Sequence, residues 1–253
     1  CESQTHRKFN DNSNNIMINN PHVNHNIIVI ILCGGKGKRL RPFTYDIPKP
    51  LIKINEKPIL SYIIEHLASY NLRKLIFATG YKSDKIYQYI NEFFPEYINQ
   101  IIDTGDVDII ERIKAANQYI NSDFLVLYGD TISDIDINEL IHCHQSKNKP
   151  ITMTVWPLQI QFGLANIDKE GKVLSFQEKP ILDKWINIGY FYIKHDVFEV
   201  INEYNKFDKF LTDISNKGML NAYKHVGRHI TVNTIEELRK AEENIEKIIN
   251  NGK

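Results

Sequence analysis

The sequence predicts an α/β fold with a mainly parallel, doubly wound sheet. Three short apolar runs bounded by turn residues, at 27–33, 74–79 and 123–128, are typical of buried parallel strands. Stretches with helical apolar spacing lie between these runs, so strands and helices alternate through the first half of the chain. This alternation favours a sheet with helices packed on both faces.

Three connecting helices are predicted from apolar spacing and from the residues that start them. The first begins just after Pro58, because proline fits the first turn of a helix. The second covers about 83–93 with Ser83 as its N-cap, and the third covers about 109–120.

The second half of the chain is richer in strands. Predicted strands cover 151–156, 162–167, 172–176 and 186–193, and predicted helices cover 195–204, 208–217 and 234–250. No long linker rich in proline, glycine or serine divides the chain, and no internal repeat is visible. One domain is therefore predicted over 27–253.

Composition excludes several classes of protein. Residues 1–26 are rich in asparagine and poor in aliphatic side chains, which predicts a disordered or non-native tail. The formal net charge of +0 argues against a nucleic-acid partner, and no apolar run is long enough to span a membrane. Three scattered cysteines do not make a disulfide framework, which favours the reducing cytoplasm.

The strand at 27–33 ends in a loop with three glycines within four residues, at Gly34, Gly35 and Gly37. Glycines let backbone N–H groups converge on an anion, so the loop is interpreted as a polyphosphate cradle at a strand end. A plain glycine-rich turn is the competing interpretation, and the loop matches neither the P-loop nor the dinucleotide-binding pattern. Cations crowd the turn that follows: Lys36, Lys38, Arg39, Arg41 and Lys49.

Polar residues also follow the later strands. Asp130 comes after the run at 123–128 and is either an Mg²⁺ ligand or an Asx-turn residue. Pro180 favours an extended or turning backbone at Lys179, which would let Lys179 and Glu178 touch one ligand; otherwise they form a solvated strand end. Asn187 is a further ligand contact or a turn residue.

The segment His142-Cys143-His144 resembles a metal-binding cluster only superficially. Residues one and two positions apart on a helix point in different directions around its axis, so these side chains are interpreted as ordinary surface and core. Lys49, between Pro48 and Pro50, is predicted on an extended backbone.

Together these stretches resemble the sugar nucleotidyltransferases, or nucleotide-sugar pyrophosphorylases. The pattern Gly-Gly-x-Gly-x-Arg-Leu-x-Pro-x-Thr is complete at 34–44, and Pro-Lys-Pro follows at 48–50. Tyr-Gly-Asp at 128–130 and Glu-Lys-Pro at 178–180 follow in the family's order, and the resemblance covers roughly 27–245. Shorter stretches look most like the glucose-1-phosphate cytidylyltransferases, namely 103–106, 112–114, 162–163, 175–180 and 186–189.

The resemblance implies a Rossmann-like, mainly parallel mixed sheet of the nucleotide-diphospho-sugar transferase fold, with a strand-rich acceptor-binding half. It implies an Mg²⁺-dependent enzyme that moves a nucleoside monophosphate, CMP from CTP in the branch it resembles most, onto a phosphorylated small molecule. A sugar 1-phosphate is the expected acceptor, pyrophosphate is the second product, and the pathway is the synthesis of cell-surface polysaccharide or capsule precursors. A homo-oligomer is compatible with this family.

Site residues are carried over from the same resemblance. Arg39, Lys49 and Asp130 would be catalytic, and Asp130 with Asn233 would hold Mg²⁺. The nucleotide would contact Cys33, Gly34, Gly35, Gly37, Lys38, Arg39, Lys49, Gly80, Arg112 and Gly129. The acceptor would contact Gly163, Glu178, Lys179, Asn187 and Gly189.

The sequence departs from the family pattern at three places. Asn233 stands where the family has a second metal-binding aspartate, and 109–111 replaces the small segment that usually precedes the arginine of Arg-Leu-Lys. Only 95–102 stands where the glucose enzymes have a long insertion. The alternatives left open are GTP, UTP or dTTP as donor, a non-sugar acceptor such as phosphocholine, and an inactive regulatory or nucleotide-sugar-binding subunit.

Overall fold

The computed structural model describes residues 27–249, and the predicted tail at 1–26 lies outside the described residues. The first half runs β1 (Ile28–Leu32), β2 (Lys53–Ile54), β3 (Lys57–Pro58), α1 (Ile59–Ser69), β4 (Lys74–Thr79), α2 (Ser83–Phe93), β5 (Ile98–Asp103), α3 (Ile109–Ala116), β6 (Phe124–Tyr128), β7 (Thr131–Ser133) and α4 (Ile137–Lys147). The second half runs β8 (Ile151–Gln159), β9 (Leu164–Ile167), β10 (Val173–Gln177), β11 (Ile181–Ile193), α5 (Val197–Ile201), α6 (Phe207–Asn216), β12 (Leu220–Lys224), β13 (His229–Thr231) and α7 (Ile235–Ile249).

A seven-stranded sheet in the order β12-β8-β11-β6-β1-β4-β5 organises these elements. Six of its strands run in one direction, and β11 pairs antiparallel with both β6 and β8. The predicted α/β fold with a mainly parallel sheet is thus confirmed. Because β1, β4, β5 and β6 are parallel, the loops that follow them all leave the same edge of the sheet.

Alternation along the strands supplies a core on each face of the sheet. Val29 and Ile31 of β1 face the side covered by α1, α2, α4 and α7. Ile28 and Ile30 face the side covered by α3, α5 and α6. Since both faces are buried, the central strands have no polar side, which explains their uninterrupted apolar runs.

The three apolar runs of the first half correspond to β1, β4 and β6, but two local predictions were wrong. Ser83 is the first residue of α2 rather than its cap, and its hydroxyl hydrogen-bonds to that of Thr79 at 2.8 Å. The third helix ends at Ala116, after which a 3-10 turn covers Asn117–Tyr119.

Sequence analysis did not predict strand β5. Among the strands of 27–249 it pairs only with β4, at the edge of the sheet, and Asn99 and Gln100 interrupt its apolar residues. A half-exposed edge strand does not require a continuous apolar run, so it lacks the signal that identified the buried strands.

The second half includes an exposed β-hairpin, β9–β10, outside the main sheet. The segment 160–180 that contains it leaves and rejoins the body at one point, because the Ile160 N–H donates to the Pro180 carbonyl at 3.1 Å. All residues of β9 and β10 are exposed, and several are apolar: Leu164, Ile167, Val173, Leu174 and Phe176. Among residues 27–249, no helix has the length and apolar character needed to cross a membrane.

Candidate active site

The glycine loop after β1 is fixed by contacts at both ends. The Cys33 N–H donates to the Ala78 carbonyl of β4 at 2.8 Å, and the Thr44 hydroxyl donates to the Gly37 carbonyl at 2.9 Å. Gly37 has a positive φ of 58°, and a Cβ there would lie 2.9 Å from a Thr44 side-chain atom. The third glycine is therefore required by backbone conformation and by packing.

Four of the predicted residues meet beside this loop. The Lys49 ammonium donates to a carboxylate oxygen of Asp130 and to Oδ1 of Asn233, the latter at 2.8 Å. Arg39 donates to the same Asn233 oxygen at 3.1 Å. Residues from three distant parts of the sequence thus form one cluster of two cations, a carboxylate and an amide.

The folding of the chain explains why this cluster forms. Asp130 immediately precedes β7, and Asn233 follows β13, which pairs antiparallel with β7. Helix α7 then begins beside Asn233, where the Glu237 carboxylate accepts from the Asn233 N–H at 2.6 Å. The Glu237 N–H in turn donates to the Thr234 hydroxyl at 3.2 Å, which is half of a capping box and fixes the segment before α7.

Lys49 does not have the backbone predicted for it. Lys49–Leu51 forms a short 3-10 turn rather than an extended segment, with Pro48 at its N-cap. The Lys49 side chain is only 10% exposed and lies against Asp130, so its charge is largely shielded from solvent.

The donor set of this cluster fits a hard divalent cation. The Asp130 carboxylate and the Asn233 amide oxygen both contact the Lys49 ammonium, so the two oxygens already converge on one positive charge. The Thr131 hydroxyl lies 3.3 Å from the other Asp130 oxygen. Mg²⁺ prefers oxygen ligands and takes only one or two carboxylates when phosphates and water complete its coordination.

Arg112 is placed differently from the other cations. It is 4% exposed, and its guanidinium donates to the carbonyls of Gly34 and Gly105 at 3.2 and 3.0 Å. Burial lowers the pKa of Arg112, and the thiol of Cys33 and nearby carboxylates oppose that shift. The guanidinium therefore lies beneath the glycine loop and donates to protein oxygens there.

Cys33 and Gly129 pack tightly against each other at the ends of β1 and β6. A Cβ on Gly129 would come within 2.7 Å of the Leu32 carbonyl and 3.0 Å of the Cys33 sulfur. Burial raises the pKa of the Cys33 thiol, and Asp130 raises it further. The thiol stays protonated, so it is not a nucleophile.

The remaining cations of the loop are solvated. Lys38 is exposed, Lys36 pairs with Asp106 on the loop after β5, and the Arg41 guanidinium lies 4.8 Å above the Tyr45 ring. The cations of the glycine loop therefore divide into two sets, of which only Arg39 and Lys49 join the cluster at Asp130.

The predicted acceptor residues lie in two places: Asn187 and Gly189 are in the middle of β11 beside the end of β6, whereas Gly163, Glu178 and Lys179 belong to the segment that precedes β11. The Asn187 amide donates to the Tyr128 hydroxyl at 3.4 Å and accepts from the Gly189 N–H at 2.8 Å. Gly189 has a φ of 80°, and a Cβ there would lie 2.3 Å from the Tyr128 ring, so this position requires glycine. Asn187 is thus oriented by β6.

Glu178 and Lys179 lie where the hairpin rejoins the body, and both are exposed. Lys179 has a left-handed φ of 46°, so the chain turns there as Pro180 suggested. A Cβ on Gly163 would come within 2.3 Å of the Phe176 ring and 3.0 Å of a Glu178 oxygen, which places Gly163 beside Glu178.

His142, Cys143 and His144 separate as expected for a helix. His142 is exposed, whereas His144 is buried and its Nδ1 lies 2.9 Å from the Thr152 hydroxyl. Within 27–249 no group of three or more histidine, cysteine or acidic residues is arranged to hold a metal ion.

Some residues that orient the site were missed. The Tyr81 hydroxyl donates to the Thr44 carbonyl at 2.8 Å, and its N–H donates to the Gly34 carbonyl at 3.2 Å. Tyr128 supports Asn187, and Glu237 supports Asn233. Only Glu237 carried a sequence signal, the capping-box spacing from Thr234.

Comparison with known proteins agrees with this geometry. A sequence model of the nucleotidyl transferase family matches residues 28–248. A probable glucose-1-phosphate cytidylyltransferase of Bacillus subtilis is 32% identical and covers 83% of this chain and 92% of its own length. A D-glycero-alpha-D-manno-heptose 1-phosphate guanylyltransferase of Campylobacter jejuni is 33% identical and covers 73% of this chain and 84% of its own.

Solved structures show the same fold. The crystal structure of HddC from Yersinia pseudotuberculosis has a TM-score of 0.68 and 27% identity, and covers 87% of this chain and 99% of its own. The site geometry and the full-length family match lead to one conclusion. The chain is a nucleotidyltransferase enzyme of the sugar-phosphate nucleotidyltransferase family.

Proposed function

We propose that this enzyme transfers CMP from CTP to a sugar 1-phosphate and releases pyrophosphate. The proposed reaction rests on one observation, namely that Lys49, Arg39 and Asp130 lie together in one cluster beside the glycine loop. The cytidylyltransferase relatives, which include a Salmonella typhimurium glucose-1-phosphate enzyme at 30% identity, support CTP as the donor. The product would be an activated sugar for cell-surface polysaccharide or capsule precursors.

The chemistry needs no nucleophilic side chain. An oxygen of the acceptor phosphate forms a bond to the α-phosphorus of the NTP, and the bond to the bridging oxygen breaks with its electron pair leaving on pyrophosphate. Lys49 and Arg39 would bind and orient the phosphates and stabilise the charge that develops on them. Mg²⁺ held by Asp130 and Asn233 would supply further neutralisation of phosphate charge.

The strand-rich half would hold the acceptor. Lys179 would pair with the acceptor phosphate, and Glu178 and Asn187 would bind hydroxyl groups. In support, Asn187 contacts Tyr128 at the end of β6, and Gly163 lies beside Glu178. Glu178 and Lys179 are exposed, so both side chains are accessible to an acceptor.

GTP is the second candidate donor. The guanylyltransferase relative is as similar to this chain as the cytidylyltransferases are, and one HddC structure is described as a complex with GMP-PN, at a TM-score of 0.67. The chain also lacks the long segment that the glucose cytidylyltransferases carry before Asp103. These observations make nucleotide choice the first property to measure.

The decisive experiment is a pyrophosphate-release screen of CTP, GTP, UTP and dTTP against sugar 1-phosphates and non-sugar phosphates, including phosphocholine. Turnover with CTP and a sugar 1-phosphate is expected. Turnover with GTP alone would reassign the donor, and turnover only with phosphocholine would reassign the acceptor. No release in any combination would overturn the proposed reaction and favour a regulatory or nucleotide-sugar-binding subunit.

Asn233 offers a test of the metal site. Asn233→Asp adds a full negative charge beside Asp130, so half-maximal activity should require less Mg²⁺, by about tenfold. The measurement is an Mg²⁺ titration of initial rates for both proteins. An unchanged titration would show that residue 233 does not ligate the metal.

A further inference from the structure

We infer that Arg112 is a positioning residue, which builds the nucleotide-binding surface by holding backbone carbonyls rather than by contacting phosphates. The inference rests on the proposed binding of an NTP at the glycine loop. Three loops meet at this side chain: the glycine loop after β1, the turn after β4 and the segment 104–107 after β5.

The guanidinium is surrounded by protein oxygens. One terminal nitrogen, Nη1, donates to the Thr79 carbonyl and the Thr104 hydroxyl, each at 2.7 Å. The other, Nη2, donates to the carbonyls of Gly34, Gly105 and Val107 at 3.0–3.2 Å. Both terminal nitrogens are thus committed to protein oxygens, and neither could contact a phosphate without breaking one of these bonds.

One of the glycines is required by this side chain. A Cβ on Gly34 would lie 1.7 Å from Nη1 of Arg112, whereas a Cβ on Gly80 would first meet the Gly105 carbonyl oxygen at 2.3 Å and then Nη1 at 2.7 Å. Gly34 does not have a positive φ, so its backbone conformation does not demand glycine. By contrast, a Cβ on Gly35 would meet nothing within 4 Å. Gly34 is therefore a packing partner of Arg112.

Peptide geometry explains how a residue beneath the loop would affect a ligand above it. In a trans peptide the C=O and the following N–H point in opposite directions, and the one cis bond of the described chain is Arg41-Pro42. Arg112 draws the carbonyls of Gly34 and Gly105 toward itself, so the N–H groups of Gly35 and Asp106 point away from it. Those N–H groups are the donors that an anion cradle requires.

The chain also links the same loops on the outside. Lys36 of the glycine loop pairs with Asp106 of the segment 104–107, and both side chains are exposed. An exposed ion pair contributes little to stability, so the buried fork of Arg112 joins these loops more strongly than this pair does, alongside the backbone bonds from Tyr81 N–H to the Gly34 carbonyl and from Thr104 N–H to the Thr79 carbonyl.

A double-mutant cycle tests this role. The proteins are wild type, Gly34→Ala, Arg112→Ala and the double variant, and the readout is the dissociation constant for CTP and for GTP by calorimetry with MgCl₂. Gly34→Ala should weaken binding of the preferred nucleotide about tenfold in the wild-type background. In the Arg112→Ala background it should change binding less than twofold, because the added methyl group no longer meets a guanidinium. An equal loss in both backgrounds would overturn the inference.

Arg112→Lys separates positioning from direct phosphate contact. Lysine keeps the positive charge but cannot reproduce the planar fork that reaches several carbonyls. Binding should therefore fall by about as much as in Arg112→Ala, whereas near-wild-type binding would favour a phosphate contact and overturn the inference. Arg73→Ala, an exposed arginine just before β4 at the opposite edge, is the matched control and should bind nucleotide normally.

Hydrogen exchange of the free protein makes the test independent of catalysis. Without nucleotide, peptides covering 33–38 and 103–108 should exchange faster in Arg112→Ala than in wild type, with the remaining peptides unchanged. Unchanged exchange in both loops would overturn the positioning role. If wild type binds no nucleotide, the proposed function fails, and the exchange data still decide what Arg112 does.

Discussion

The two sides of the cleft are built in different ways. On the nucleotide side, Lys49, Asp130, Asn233 and Arg39 contact one another, and Lys49 is nearly buried. On the proposed acceptor side, both strands of the hairpin β9–β10 are exposed along their whole length, with Leu174 at 62% and Phe176 at 63%. One side is organised before any ligand binds, whereas the other presents polar and apolar groups to solvent.

This difference shows how a fold can separate a fixed reaction from a variable substrate. The phosphate chemistry is the same for any acceptor, so its charged groups gain from being held in place. The sugar phosphates named for relatives of this chain differ, and two of the residues proposed to bind the acceptor, Glu178 and Lys179, lie on the segment 160–180 that is joined to the body at its ends.

The largest effect is expected at the organised side. Lys49→Ala removes a cation from the cluster and should reduce turnover by a hundredfold or more, about 3 kcal/mol of transition-state stabilisation. Asp130→Ala should be equally inactive. Initial rates and circular dichroism measure activity and folding; Lys53→Ala, at an exposed lysine, serves as the control. Near-wild-type pyrophosphate release from folded Lys49→Ala would contradict the assignment.

Two leucines compare the stability of the sheet and the hairpin. Leu125 of β6 is fully buried, whereas Leu174 of β10 is 62% exposed. Leu125→Ala should lower the free energy of unfolding by about 2–5 kcal/mol through lost burial and an unfilled cavity, and Leu174→Ala by about 0.5 kcal/mol or less. Urea unfolding measures both. Comparable losses would mean that the hairpin is part of the cooperative core.

His144, on α4, tests whether the core between α4 and β8 is as loosely packed as the hairpin. Burial between α4 and β8 lowers its pKa to about 4, while Asp123 raises it and Lys194 lowers it. The neutral form is favoured in the folded state, so its contribution to stability is complete above pH 6.5 and is lost as the pH falls toward 4.

Lowering the pH from 6.5 to 5 should reduce the free energy of unfolding of wild type by about 2 kcal/mol through His144. The His144→Gln variant should not show this reduction. The measurement is urea unfolding at both pH values, with His142→Gln at the exposed neighbour as the control. Equal pH dependence in wild type and His144→Gln would show that this part of the core admits water.

The smallest effect on catalysis is expected on the proposed acceptor side. Asn187→Ala should raise KM for the acceptor about tenfold and leave KM for the NTP unchanged, because one neutral hydrogen bond is lost. Steady-state kinetics with both substrates varied give the two constants. A rise in both values would show that the two sides of the cleft do not act independently.

Sequence patterns were informative where burial was complete. The strands β1, β4 and β6 have continuous apolar runs, and the glycine loop has a fixed motif, so the fold class and the location of Lys49 and Asp130 followed from the chain alone. Strand β5 was missed because Asn99 and Gln100 interrupt its apolar residues, and the start of α2 was misplaced by one residue because Ser83 is an equally plausible cap. The secondary structure of such segments is decided by their tertiary contacts rather than by their local sequence.

The meeting of Asp130 with Asn233 could be expected only from family resemblance, since no local pattern links β7 to β13. The surroundings of Arg112 could not be anticipated either. Most partners of this guanidinium are backbone carbonyls, which every residue has. The sequence therefore indicates such contacts only indirectly, through glycines such as Gly34.

The hydrogen bond between Ile160 and Pro180 has a consequence for the evolution of this protein. A segment whose two ends lie side by side can be replaced by another of different length without moving the strands it connects. Recombination at these two positions would replace residues 161–179 as one segment by the corresponding segment of another gene and leave Lys49 and Asp130 in place. New acceptor preferences could then arise from a single genetic event.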